Sequence, residues 1–292
     1  MRRHFCIIHN PGAGWHSRHL FSATLRELRR AGATYEIFRT EQRGQGTKLA
    51  SAATRSATFD AIVAAGGDGT IHDVAAGLVG GAVPLGVIPL GTGNVFAREL
   101  GFTLDASALS RALLNGPVNQ IPIGEANGEP FLFVVGIGFD AEAVRFFEAN
   151  DMRRWGTGSF ALPVLYALLH MSNSPLRVTT QRGSTEAQWV LVTRAKHYVA
   201  KLLLAPEADL RSPLFYVIRA EGAGRLTRTR QLAALLTGLL RHDPAVTVEA
   251  TRHVRIEGHS RTPVQIDGEF KGALPMEIAL HAAPLPLILP AL

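Results

Sequence analysis

The chain has 292 residues, enough for about two domains, and 47% hydrophobic with 18% charged residues excludes a disordered or low-complexity protein. The net charge of +6 and pI near 10.0, carried almost entirely by arginine, point to anionic partners; without zinc-ligand spacing, basic heptads or RNA-binding aromatic motifs, no nucleic-acid partner is expected. The single cysteine, Cys6, excludes a disulfide framework, no apolar run is long enough to span a membrane, and the run after Arg2 and Arg3 is too short for a secretory signal, so a cytoplasmic location is expected.

In chain order, an apolar strand over 4–9, containing a packed and inert Cys6, enters the turn Asn10-Pro11-Gly12-Ala13-Gly14. Leu20, Leu25 and Leu28 then space out a helix that stops near Ala31-Gly32. A strand over 35–38 and a helix over 47–54 follow, then a buried strand over 61–65 that enters Gly66-Gly67-Asp68-Gly69-Thr70. Thr70 opens a helix over 71–78. A strand over 85–90 then enters Gly91-Thr92-Gly93-Asn94, with a helix over 95–100 behind it. This period of strand, glycine turn and helix predicts a doubly wound α/β domain whose turns share one sheet edge, where backbone N–H groups can cradle phosphate.

From about residue 121 the texture becomes β-rich, with strands expected over 131–135, 176–180, 189–193, 202–204 and 215–219. Val246, Val248 and Ala250, then Val254 and Ile256, then Val264 and Ile266 alternate as one face of a strand should, predicting a β-sandwich or large antiparallel sheet. Helices are expected over 160–170 and 231–240. The second is flanked by Arg225, Arg228, Arg230 and Arg241, and its leucine stripe either packs on the core or faces a membrane. The proline-punctuated segment 284–290 should dock as an extended strand.

Asp68 is the only carboxylate in the three turns. It could face Mg²⁺ and its waters or take a proton from an attacking hydroxyl, or it could serve only the turn's own hydrogen bonds. Asn94 reads as an N-cap that could also touch a ligand. Asp267-Gly268-Glu269 reads as a hairpin turn, or, if the chain stays extended, as two carboxylates on one side that could polarise a hydroxyl. The histidines show no metal spacing, and His72, His242 and His253 read as surface or capping residues.

Together these motifs resemble the diacylglycerol kinase catalytic family of lipid kinases. The resemblance spans nearly the whole chain and rests on Asn10-Pro11-x-x-Gly14, Gly66-Gly67-Asp68-Gly69-Thr70, Pro89-Leu90-Gly91-Thr92-Gly93-Asn94, Gly136-Ile137-Gly138-Phe139-Asp140-Ala141, Ala205-Pro206 and Asp267-Gly268-Glu269. It implies an α/β nucleotide-binding domain over 1–120, rejoined by about 282–292, and a β-sandwich lipid-substrate domain over 121–281. It also implies an ATP site between them. Asn10, Pro11, Gly12, Gly14, Thr40, Gly66, Gly67, Asp68, Gly69, Thr70, Gly91, Thr92, Gly93 and Asn94 would hold the nucleotide, and Asp68 the metal. As proton acceptor the resemblance offers Glu269, with Asp267 beside it, or Asp68.

The chain departs from the family pattern at Val95, at Ile121-Pro122-Ile123 and at Arg211-Ser212-Pro213, where many relatives carry acids. The expected activity is ATP- and Mg²⁺-dependent phosphorylation of a lipid alcohol such as diacylglycerol, by a protein in peripheral contact with the membrane. A homodimer is left open. The alternatives are a kinase of a soluble substrate of the NAD kinase type, against which the third turn speaks, and a non-catalytic binding protein of the same fold, which the missing acids favour.

Overall fold

The computed structural model describes residues 1–13, 18–56, 58–152, 161–172, 174–198, 202–222 and 224–290. The chain forms two compact units, one of residues 1–123 with 282–292 and one of residues 124–281.

The first unit alternates β1 (His4–His9), α1 (Arg18–Arg30), β2 (Thr34–Arg39), α2 (Gln45–Ser56), β3 (Ala61–Gly66), α3 (Asp68–Ala76), β4 (Leu85–Pro89), α4 (Val95–Glu99), α5 (Ala106–Asn115) and β5 (Val118–Ile121). Every residue of β3 and β4 is buried, as central parallel strands covered on both faces require. β2 is an edge strand and mostly exposed. The sheet order is β2, β1, β3, β4, then two strands from distant parts of the chain: β18 (Leu285–Ile288), parallel to β4, and β5, antiparallel to β18. Strand order therefore reverses between β1 and β3, and the crevice beyond their carboxyl ends is where such sheets bind ligands.

The helix over 71–78 starts earlier than expected, at Asp68, with Gly67 as N-cap. His72, read above as a surface or capping residue, is buried within it. α2 and α3 pack closely because Gly77 has no side chain: a Cβ there would lie 2.5 Å from the Thr47 carbonyl oxygen.

Cys6 is fully buried in β1, and burial, reinforced by the Glu36 charge, pushes its thiol up to about 12. At pH 8 only about one thiol in 10⁴ would then be ionised, so native protein should label with a thiol reagent far more slowly than urea-unfolded protein. Equal labelling rates would show that β1 is not packed as described.

The second unit is a sandwich of two six-stranded antiparallel sheets. One contains β6 (Gly124–Ala126), β7 (Glu129–Phe131), β9 (Leu176–Thr180), β10 (Gly183–Ala187), β14 (His253–Glu257) and β17 (Met276–Leu280). The other contains β8 (Val134–Ile137), β11 (Trp189–Thr193), β12 (Phe215–Ala220), β13 (Val246–Thr251), β15 (Pro263–Ile266) and β16 (Glu269–Ala273). Val178, Val192, Val254, Ile256, Val264 and Ile278 are among the residues that meet in the core. Among the described residues three α-helices interrupt the strands: α6 (Phe139–Ala149), α7 (Ala161–His170) and α8 (Arg225–Leu236). The doubly wound α/β domain and the β-sandwich are thus both as expected.

Several local expectations change. The strand over 131–135 is two strands, parted at Leu132-Phe133, whose N–H groups bond to Asp267. Residues 202–204 give only one isolated bridge, between Leu203 and His197. In β13 the alternation fails after Val246: Ala250 is exposed and Glu249 turns inward to accept from Thr180 and pair with Arg219. α8 begins at Arg225, well before residue 231, pinned by Gln231, which accepts from the Trp189 indole and donates to the Glu221 carbonyl. Phe160 lies outside the described residues.

Candidate functional site

In the first unit the glycine turns follow the carboxyl ends of β1, β3 and β4, and hydrogen bonds connect the first two. The Asn10 amide donates to the Thr70 hydroxyl at 3.2 Å and its carbonyl accepts from the Gly12 N–H at 2.9 Å. The Asn10 backbone N–H donates to the Ala65 carbonyl, and that of Thr40, at the end of β2, to the His9 carbonyl. Gly14 lies outside the described residues.

The second and third turns touch through glycines. A Cβ on Gly91 would sit 2.6 Å from the Gly67 Cα, and one on Gly66 would sit 2.3 Å from the Thr70 hydroxyl oxygen, so both positions need glycine for close approach. No side chain caps α3 at Gly67, the kind of helix start at which an anion is favoured.

Asp68 spans from the second turn to the third. Its two carboxylate oxygens accept from the N–H groups of Val95 and Phe96, at 3.0 and 3.1 Å. The cap of α4 is therefore Asp68, 27 residues away, and not Asn94 as expected. Asn94 has left-handed backbone (φ 46°), and its side chain turns back onto Gly91, accepting from its N–H at 2.9 Å and donating to its carbonyl at 2.8 Å. Val95, the first residue of α4, is buried.

In the second unit Asp267 and Gly268 both have positive φ, 48° and 84°, and form the two-residue turn between β15 and β16. The chain does not stay extended there, so the same-side projection of Asp267 and Glu269 is lost. The buried Asp267 carboxylate accepts from three backbone N–H groups, those of Leu132 at 2.6 Å, Phe133 at 3.0 Å and Val134 at 2.9 Å. Glu269, 17% exposed, lies 3.9 Å from the Lys271 ammonium, which is closer to Glu129 at 3.1 Å.

A buried chain of hydrogen bonds reaches the same turn. Tyr198 donates to one oxygen of Asp140, Gln265 donates to the other at 2.5 Å, and the Gln265 carbonyl accepts from the Gly268 N–H at 2.7 Å. Burial raises the Asp140 carboxyl above its usual range despite these donors, and burial next to Asp140 raises the Tyr198 phenol. Arg194, 1% exposed, donates to the carbonyls of Leu210 and Ser212, so the loop around Arg211 gives its carbonyl oxygens to a guanidinium. Desolvation lowers that guanidinium to about 10, with Asp267 and Asp209 acting in the opposite sense. Gln265, Tyr198 and Arg194 were not expected. No sequence signal marked Gln265, because the alternation of Val264 and Ile266 sets it on the opposite face of a strand with one apolar side, yet it is fully buried.

Among the described residues no group of three or more His, Cys, Asp or Glu side chains could hold a metal. Asp68 can therefore offer carboxylate oxygens to Mg²⁺ only as part of a set completed by water and substrate phosphates, a composition that Mg²⁺ accepts.

Residues 4–126 match the diacylglycerol kinase catalytic domain, and residues 133–289 match the YegS C-terminal NAD kinase beta sandwich-like domain. A diacylglycerol kinase of Bacillus subtilis is 29% identical over 279 residues, covering 93% of this chain and 91% of that protein. One of Staphylococcus haemolyticus is 28% identical over 285 residues, covering 94% and 84%. A crystal structure of a diacylglycerol kinase from Bacillus anthracis aligns with a TM-score of 0.73 over 99% of this chain and 97% of that one, at 20% identity, a likeness of fold. With both halves of the chain matched in order, and the glycine turns and the Asp-Gly-Glu hairpin formed as described, the protein belongs to the diacylglycerol kinase catalytic family of lipid kinases.

Proposed function

We propose that the protein transfers the γ-phosphoryl group of ATP to a hydroxyl of a lipid alcohol of the diacylglycerol class, reached at a membrane surface. The observation that carries this reading is the contact of Gly67 with Gly91, a backbone cradle that any Cβ would fill. Kinase chemistry depends mostly on such positioning, because the transition state is loose and its charge is spread over the phosphoryl oxygens.

Asn10, Gly12, Thr40, Gly66, Gly67, Gly69, Thr70, Gly91, Thr92, Gly93 and Asn94 would bind the nucleotide, with the start of α3 facing phosphate. Pro11 would shape the first turn. Asp68 would hold α4 in place and contribute to Mg²⁺ binding. When bound, Mg²⁺ would supply positive charge against the phosphates. Glu269, the more accessible carboxylate of the hairpin, would accept the hydroxyl proton as the new O–P bond forms and the bond to ADP breaks. Asp267 would act as a positioning residue.

The test is transfer of labelled γ-phosphate from ATP and Mg²⁺ into an extracted membrane lipid mixture, with NAD as competing acceptor. A labelled lipid is expected. Label in NAD would move the assignment to a soluble-substrate kinase, and ATP binding without transfer would leave a binding protein.

A further inference from the structure

We propose that α7 and α8 form the surface by which this protein docks on a bilayer containing anionic lipids. This rests on the reading that its substrate is a lipid and adds where the protein meets that lipid's membrane. Among the described residues no helix is long and apolar enough to cross a membrane, so contact through helices there would lie in the interface.

The outward face of α7 is apolar where a helix in water is normally polar. Leu162, Leu165 and Leu169 follow one another at spacings of three and four residues and are 53%, 51% and 49% exposed, while Pro163 and Ala167 on the other side are buried. α8 repeats the feature with Leu226 at 86% and Leu236 at 58%, continued by Leu239 at 56%. The two helices are joined, since Arg228 on α8 donates to the carbonyl of Met171 just past the end of α7. So many large side chains held outward on neighbouring helices mark an interaction surface rather than scattered exposure.

Charge selects the occupant. Residues 161–172 and 224–242 contain four arginines, at 225, 228, 230 and 241, and no aspartate or glutamate. Arg228 is buried, and Arg230 and Arg241 pair with Asp243 and Glu207 from outside these stretches, leaving Arg225 as the exposed arginine most available to a headgroup. A second copy docked on the same face would set basic helices against each other, whereas an anionic bilayer takes leucine and arginine together. The leucines should supply most of the binding and arginine a smaller preference for anionic headgroups.

The test is co-sedimentation of the full-length protein, without ATP, with vesicles of phosphatidylcholine or of phosphatidylcholine mixed with phosphatidylglycerol. Wild type should bind the mixed vesicles more tightly. The double variants Leu165→Ser with Leu169→Ser, and Leu226→Ser with Leu236→Ser, should each weaken binding roughly tenfold or more with little change in thermal midpoint. Arg225→Glu should lower binding to mixed vesicles several-fold, and added salt should shrink that difference. Transfer to a short-chain diacylglycerol in neutral detergent should be the same in wild type and variants. Absence of that transfer in wild type overturns the kinase reading, while vesicle binding decides the surface separately. Leucine variants that bind vesicles like wild type, or that alter only a monomer–dimer equilibrium, would overturn the docking proposal.

Discussion

Asp267→Ala is expected to destabilise the β-sandwich severely, whereas Glu269→Gln is expected to leave it folded and remove most turnover. The alanine variant strands the N–H groups of Leu132, Phe133 and Val134, all bonded to the Asp267 carboxylate in a buried position. Each of the three orphaned donors costs about 1–3 kcal/mol, and the buried Arg194 loses a favourable charge, so a loss of at least about 3 kcal/mol is expected. That is a large part of the roughly 5–15 kcal/mol by which domains are stable. Glu269 is partly exposed and 3.9 Å from Lys271, a pair worth under about 1 kcal/mol. As the proposed proton acceptor, however, it should carry about 10²–10⁴ in kcat. Urea unfolding midpoints and turnover, measured on both variants, separate the two roles. An Asp267→Ala protein that unfolds with the wild-type midpoint yet transfers no phosphate would assign that carboxylate to the chemistry and reject the structural account.

The glycine turns were legible because what they require is written in residue identity: only glycine permits the approach of Gly67 to Gly91. Which groups the turns' side chains would touch was not legible, because that depends on parts of the chain brought together only by the fold. Asp68 meets residues 95 and 96, Asp267 meets residues 132–134, and Asn94 turns back instead of capping forward. Hydrophobic periodicity failed at two places where buried polar side chains pair with one another or with the backbone. Glu249 broke the alternation of β13 by pairing with Arg219, and Arg228 and Gln231 hid the first turns of α8, whose inward face carries them in place of leucines. The strand expected over 131–135 failed for a related reason, since a carboxylate took backbone donors that would otherwise have joined a ladder.

The second large effect is expected at Asp68. Asp68→Ala removes both acceptors at the start of α4 and should lower phosphoryl transfer at least about 10²-fold, with a stability loss of about 1–2 kcal/mol typical of a lost helix cap. Asp68→Asn separates clamp from charge: its carbonyl can still accept from Val95 or Phe96, but its amide is neutral. If the clamp alone matters, the asparagine variant should recover much of both stability and turnover. If charge matters, it should recover stability and remain as inactive as the alanine variant. Electrostatics favours the second outcome. If the glycine turns cradle phosphate as proposed, a carboxylate set between them repels the phosphates unless a cation lies between them. ATP without Mg²⁺ should therefore bind the asparagine variant more tightly than wild type, and added Mg²⁺ should strengthen binding to wild type more than to the variant. Isothermal titration reads both quantities without turnover. Equal gains from Mg²⁺ in the two proteins would remove Asp68 from the metal site and leave it as the clamp that joins the second glycine turn to the third.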